Sequence, residues 1–207
     1  MSKDCLIIFT RYPQPSQVKT RLIPALGAAG AAALHQRMAE HTLAQARALR
    51  QTRALSIQVW FAGSSTVTKM QEWLGTDVEY YVQPEGDLGD RMASVFKSVF
   101  NKGHTAAVIV GTDCPDLSTA LLAQGFGALA QHELVLGPAI DGGYYLIGLR
   151  REAPELFEGI AWSTWEVLVQ TLAIAQQLKL TPFLLTYLTD IDVPQDLEHP
   201  SVKARRW

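Results

Sequence analysis

Cysteine is scarce in this chain. Only Cys5 and Cys114 occur among 207 residues, too few for a disulfide framework or a four-ligand zinc site. An excess of either charge is also missing. Lys and Arg number 18 against 20 Asp and Glu, for a formal net charge of −2. Nucleic-acid proteins usually carry a basic excess on one face, and this balance argues against one. The basic clusters Arg47/Arg50/Arg53 and Lys203/Arg205/Arg206 read as a solvated helix face and a chain end. No apolar run approaches the ~18 residues needed to span a bilayer. Collagen, heptad and short solenoid periods are absent, so fibrous and repeat classes drop out. The start, Met-Ser-Lys-Asp, leads into an apolar run without a signal-peptide pattern. The expectation is a cytoplasmic protein with no membrane or nucleic-acid partner.

Apolar residues, in contrast, make up 48% of the chain, enough to offset ordering entropy and bury a sizeable core. No Gly/Ser-rich linker divides it, so residues 1–207 read as one domain. Residues 5–10 are wholly apolar or nearly so, the habit of a strand buried on both faces. Residues 11–24 hold prolines at 13, 15 and 24 and cannot be regular throughout. The spacing predicts helices over 28–50, 66–74, 88–101 and about 119–129, and strands over 55–62, 78–82, 105–110, 134–137, 144–149 and 183–188. Ser163-Thr164-Trp165-Glu166 fits a capping box opening a helix to about Leu178. Asp196 and Glu198 read as a solvated final helix. Strands alternating with helices predict an α/β protein with a mostly parallel sheet. The Asp141-Gly142-Gly143 turn between neighbouring strands adds some antiparallel pairing.

Ligands of open α/β sheets bind beyond the carboxyl ends of the strands. Arg11, Lys19 and Arg21 follow the first strand, Asp113 and Asp116 follow the 105–110 strand, and Asp190 and Asp192 follow the last. Guanidinium and ammonium groups bind phosphate oxygens. Strand-end carboxylates suit Mg²⁺, which takes one or two of them and fills its shell with phosphates and water. The combination fits a nucleoside triphosphate or a nucleotide sugar. Walker A, dinucleotide-binding and nucleophile-elbow motifs are all missing. Cys114 sits beside aspartates that raise a thiol pKa, so it reads as a packed residue. Asp116 reads as a turn or cap residue, and Trp162 and Trp165 as packing residues.

Six ordered blocks carry a further signal: LIIFTRYPQPSQVKTRL, QPEGDLGDRM, VIVGTDCPDLS, GPAIDGGYYLIGL, LFEGIAWST and DIDVPQDL. Together they resemble the bacterial glycosyltransferase-like family related to 2-phospholactate guanylyltransferase, often found near radical-SAM genes. That family belongs to the nucleotide-diphospho-sugar transferase (GT-A) superfamily. The resemblance implies a single three-layer α/β/α domain with a mixed sheet and a loop after the first strand that wraps the nucleotide phosphates. It implies that Arg11, Lys19 and Arg21 bind phosphate, with Lys19 as the transition-state cation. Gly86, Leu88 and Gly89 would lie near the base or ribose. Asp113 and Asp192 would hold Mg²⁺ or Mn²⁺, and Asp141, Gly142, Gly143, Tyr144 and Tyr145 would border the acceptor pocket. The family usually has Gly where this chain has Ser16 and Ser163. A side chain at 16 would limit approach to phosphate, whereas Ser163 would serve as a helix cap. The implied reaction is nucleotidyl transfer from a triphosphate to a small phosphorylated or hydroxyl acceptor. Glycosyl transfer from a nucleotide sugar and a non-catalytic nucleotide-binding module are the alternatives, and a homodimer is compatible with all three. Asp113 and Asp116 have D-x-x-D rather than D-x-D spacing, which favours nucleotidyl transfer.

Overall fold

The structure is a computed structural model that describes residues 3–205. Arg206 of the basic tail, and Met1 and Ser2 of the chain start, lie outside the described residues. Seven strands form one sheet, β1 (Asp4–Arg11), β2 (Leu55–Ala62), β3 (Glu79–Val82), β4 (Ala106–Val110), β5 (Leu134–Pro138), β6 (Tyr144–Leu149) and β7 (Pro182–Leu184). Their order is β3-β2-β1-β4-β6-β5-β7. All neighbours are parallel except β6, which runs against both β4 and β5. The expected mixed sheet is therefore present.

Strand alternation sorts the core into two layers. Leu6 and Ile8 face one side with Val59, Phe61, Val108 and Val110. There they pack on α1 (Ile23–Arg50), α2 (Val67–Leu74) and α4 (Thr119–Ala128). Cys5 and Ile7 face the other side, against α3 (Leu88–Asn101) and α5 (Val167–Gln177). Helices on both faces of the sheet make the three-layer α/β/α domain. Burying side chains such as Phe61 and Phe96 contributes roughly 1.5–3 kcal/mol each. A third, smaller apolar cluster joins Leu22, Leu34, Met38, Ile191 and Val202, the last of these on the terminal helix α6 (Pro200–Arg205). No helix among the described residues is long and apolar enough to cross a membrane.

The predicted elements hold in type except around Asp196 and Glu198, where Pro194–Glu198 is a 3₁₀ turn and the final helix begins only at Pro200, and three further differences are local. Helix α1 begins at Ile23, but Gly27 breaks it with φ 69° and ψ 165°, so the regular helix starts at 28 as the periodicity predicts. The strand predicted over 183–188 pairs with β5 only from Pro182 to Leu184, and Leu188 makes one isolated bridge to Ala139. The capping box at Ser163 does not form. Ser163 has φ 64°, the left-handed region, whereas an N-cap is extended. Thr164 Oγ1 instead donates to Ala161 O at 2.7 Å and accepts from Glu166 N at 3.3 Å, and the helix opens at Val167. The basic residues also differ from a solvated face, since Arg47 and Arg50 bind Asp77 and Arg53 binds Asp4.

Candidate functional site

The chain leaves β1 toward β2 on one side and returns to β4 on the other. This makes β1/β4 the point where strand order reverses, the place where open sheets form a crevice. β1 continues past its last β4 pair, Ile8↔Val110, through Phe9, Thr10 and Arg11. A cleft of about 800 Å³ opens there, in the size range of small-molecule sites.

The loop from Tyr12 to Lys19 and the short 3₁₀ turn Thr20–Leu22 form one wall. Lys19 adopts φ 48°, left-handed for a non-glycine residue. Such strain costs about 1–3 kcal/mol and persists only where surroundings fix it. Here its side chain is 5% exposed, and Nζ lies 2.8 Å from Asp113 Oδ1 and 3.6 Å from Asp192 Oδ1. Nζ also donates to the Ile191 carbonyl at 2.5 Å. Desolvation pushes the Lys19 pKa down, but Asp113, Asp192 and Asp190 outweigh it and raise it above its ordinary value. Burial opposes ionisation of Asp113, yet the Lys19 ammonium, helped by His35 and Arg11, holds that carboxyl below its ordinary value. Arg21 Nη1 donates to Asp192 Oδ2 at 2.7 Å.

The opposite wall is acidic. Asp113 follows β4, Asp141 lies in the β5–β6 turn, and Asp190 and Asp192 follow β7. Burial, then Asp141 and Asp113, push the Asp190 carboxyl up to about 6. Asp141 Oδ1 accepts from Gly143 N at 2.8 Å and closes the turn. Gly142 has φ 93°, and a Cβ there would overlap the Trp165 carbonyl and lie 2.6 Å from its Cα. Leu168 N donates to Gly142 O at 2.8 Å, so the turn and the 161–167 loop form one unit.

Of the predicted residues, Arg11, Lys19, Arg21, Leu88, Asp113, Asp141, Gly143, Tyr144, Tyr145 and Asp192 line the cleft. Gly86, Gly89 and Gly142 stand behind the lining. Gly86 (φ 111°) leaves room for Asp90, which with Asp87 forms a capping box at the start of α3, and Gly89 lets Trp162 and the Phe157 carbonyl approach. Tyr144 offers the cleft its ring, because its hydroxyl is buried. Cys114 is buried with its thiol pKa pushed up by burial and Asp113, as the packed reading expects. Asp116 points away to Ser201 and His199. Trp162 packs edge-on to Tyr144, but Trp165 is 71% exposed at the rim, contrary to the packing expectation. Ser16 also has a positive φ, 65°, and stands off the lining, so its cost is conformational and it does not block the cleft.

Among the lining residues that the sequence-based selection did not single out, Arg91, Gln83 and His35 carry polar groups with defined partners. Arg91, three residues after Leu88 on α3, donates from Nε to Gly86 O at 2.9 Å. Gln83 directly follows β3 and donates from Nε2 to Trp60 O at 2.9 Å. His35 of α1 donates from Nε2 to Arg11 O at 3.1 Å, and burial pushes its pKa down. Asp190, named in the sequence with Asp192 as following the last strand, lines the cleft as well. The i, i+3 step from Leu88 could have flagged Arg91.

The donor set suits a divalent cation. Asp113 and Asp192 converge on the Lys19 ammonium, so their oxygens already surround one positive charge. Among the described residues no group of three or more His, Cys, Asp or Glu side chains forms a cage. Asp113 and Asp192 are two hard-oxygen donors, a number that fits what Mg²⁺ takes from protein when phosphates and water complete its shell.

Comparison with known proteins bears on the fold and the family. A candidate nucleotide-diphospho-sugar transferase from Desulfovibrio desulfuricans G20 is 27% identical, with TM-score 0.88 over 100% of this chain and 95% of that one. The CMP:2-keto-3-deoxy-manno-octonic acid synthetase complexed with CTP shares the fold at 14% identity, TM-score 0.58, over 99% of both chains. The Rv0371C complex with manganese from Mycobacterium tuberculosis H37Rv does so at 13% identity, TM-score 0.55, over 93% and 94%. No curated protein sequence matches. The fold is that of nucleotide-diphospho-sugar transferases. The family model described as "Uncharacterized protein conserved in bacteria (DUF2064)" matches residues 42–164, more than half of the chain, and the chain belongs to that family.

Proposed function

We propose that the protein is a metal-dependent nucleotidyltransferase. It moves a nucleotidyl group from a nucleoside triphosphate to a small acceptor through a phosphate or hydroxyl oxygen. The observation that carries this reading is the buried Lys19 ammonium, shared by Asp113 and Asp192 at the β1/β4 crevice. The acceptor oxygen forms a bond to the α-phosphorus, the bond to the β-phosphate bridging oxygen breaks, and pyrophosphate leaves. Such chemistry needs in-line positioning and neutralisation of charge on phosphate oxygens. Lys19 and Arg21 supply donors to those oxygens, and Arg11 adds a third cation at the end of β1. The raised Lys19 pKa keeps it charged at neutral pH. Asp113 and Asp192 would hold Mg²⁺ or Mn²⁺, which when bound withdraws charge from the phosphate oxygens. Leu88, Gln83 and Arg91 border the end of the cleft suited to the base, with Gly86 and Gly89 shaping the helix start beneath them. Asp141, Gly143 and Tyr144 border the acceptor end, with Gly142 buttressing the turn.

CTP in one fold relative and manganese in another support this substrate and metal class. The motif likeness to 2-phospholactate guanylyltransferase puts GTP beside CTP among the first triphosphates to try. The D. desulfuricans relative favours a second reading, sugar transfer from a nucleotide sugar. Asp116 faces Ser201 and leaves no D-x-D pair at the end of β4, which weighs against that reading, although Asp190 and Asp192 have that spacing on the acidic wall.

A thermal-shift panel tests the reading, with five nucleoside triphosphates and two nucleotide sugars, each with and without Mg²⁺ or Mn²⁺. A ligand at 100 times its Kd stabilises by about 2.7 kcal/mol, a shift of about 5–11 °C for a domain of this size. We expect a metal-dependent shift with one triphosphate, and pyrophosphate release once an acceptor is supplied. A shift with nucleotide sugars alone transfers the assignment to glycosyl transfer. Tight binding without turnover across an acceptor panel marks a binding module.

A further inference from the structure

Asp116 follows Asp113 by three residues in the same loop but faces the opposite way. Its carboxylate accepts a hydrogen bond from Ser201 Oγ and lies 3.8 Å from His199 Nε2. His199 Nδ1 accepts from Ser201 N at 3.3 Å, so Nε2 is the nitrogen turned to Asp116. The next residue, Val202, is 7% exposed and packs with Leu22 and Ile191. Leu22 directly follows Arg21, and Ile191 lies between Asp190 and Asp192. One apolar plug therefore bears on the backbone of both walls. Ile191 is pinned further, since its N–H donates to Asp113 O at 2.9 Å and its carbonyl accepts from Lys19. Asp196 Oδ2 accepts from Asp192 N at 2.8 Å and Val193 N at 2.7 Å. That carboxylate binds backbone, contrary to the solvated-helix expectation.

We propose that Asp116 is a positioning residue that fastens residues 190–202 as a strap and so sets where Asp192 stands opposite Asp113. The β4 loop thus carries one metal-site carboxylate and the anchor that places the other. This rests on the reading of Asp113 and Asp192 as the metal carboxylates. The expected effect of loosening the anchor is a site that keeps its residues and loses their spacing. That loss shows in ligand response more than in overall stability.

The test compares the wild type with Asp116→Ala, Asp116→Asn and Ser201→Ala by amide hydrogen exchange and thermal shift. The probe is Mn²⁺ with inorganic tripolyphosphate, and each shift is read against the same variant without ligand. Asp116→Ala should speed exchange at Ile191–Val193 at least tenfold and leave β1 and β4 unchanged. The ligand shift should fall to about half, which is what a tenfold weaker Kd gives near saturation. Asp116→Asn keeps an acceptor for Ser201 and should restore most of both readouts, and Ser201→Ala should move them the same way by less. If Asp116→Ala fails to fold, Ser201→Ala carries the test. Unchanged exchange at 191–193 overturns the strap. Faster exchange with a full ligand shift overturns its role in placing Asp192. If the wild type itself gives no shift, the metal reading fails, and exchange alone decides the strap.

Discussion

The cationic wall of the cleft comes from one stretch of eleven residues, Arg11 to Arg21, whereas the acidic wall gathers Asp113, Asp141, Asp190 and Asp192 from three separate loops. The first wall is local. Its charges reach the cleft because they follow one strand. The second is assembled by topology, and each aspartate arrives only if β4, β5–β6 and β7 pair in register. Lys19 is the bolt between them, covalently part of one wall and ion-paired to the other. The comparison teaches that the acidic wall is the more sensitive to tertiary change.

Removing the bolt should have the largest effect. Lys19→Met is expected to lower turnover about 10³-fold, near 4 kcal/mol of transition-state stabilisation, while circular dichroism stays native. Near wild-type turnover would remove Lys19 from the chemistry. In the same variant the Asp113 pKa should rise, measurable by NMR titration. The depressed folded value contributes stability above the ordinary carboxylate pKa that is lost as pH falls through the folded one. That acid sensitivity should shrink when Lys19 is gone.

Next comes the support of the acidic wall. Gly142→Ala puts a Cβ against Trp165 backbone at a positive φ, and should cost about 3 kcal/mol or displace the 161–167 loop. Denaturant unfolding measures the cost. A change below about 0.5 kcal/mol would mean that the turn and loop are not locked together.

Asp190→Asn sharpens the contrast in charge. The folded pKa is raised to about 6 from an ordinary 3.8, so the folded state holds more protons than the unfolded one between those values. Stability from this group is greatest below 3.8 and falls as pH rises to 6. The neutral amide should therefore stabilise the protein at pH 7, by about 1 kcal/mol once solvent screening of this partly exposed carboxylate is allowed for. It should have little effect at pH 4. Thermal melts at the two pH values check this, and equal effects at both would contradict it.

The smallest effects compare the two serines. Ser16 (φ 65°) and Ser163 (φ 64°) hold left-handed backbone on opposite walls. Ser→Gly at each should stabilise by about 0.5–1 kcal/mol, since the left-handed penalty exceeds the entropy that glycine adds. Additive gains in the double variant would show that the walls respond independently.

Legibility followed the same division. Leu55–Ala62, Leu88–Asn101 and Tyr144–Leu149 match their predicted bounds because apolar period and burial agree there. Arg11, Lys19 and Arg21 were legible as a cluster close in sequence. Ser163 misled, because hydroxyl residues favour both caps and turns, and only the backbone angle tells which. Arg91, Gln83 and His35 come from a helix start, a strand end and the middle of α1. Their meeting depends on the packing of three layers, which local pattern does not encode. Asp116 was rightly kept out of the cleft, but its tie to Ser201 spans 85 residues and leaves no local trace.

The reversed strand β6 has one more consequence. Because it runs against β4 and β5, the chain crosses back at the cleft through residues 139–143 with no intervening helix. A register irregularity at Gly137/Pro138 already absorbs one mismatch there. Lengthening that crossing by a residue or two would re-aim Asp141 at the expense of the Gly142 O···Leu168 N bond to α5, whereas the Arg11–Lys19 loop is tied at its far end by the ion pair of the buried Lys19 with Asp113. The two ends of the cleft are therefore held differently, one by a side-chain ion pair and the other by a five-residue turn fastened through its backbone to α5.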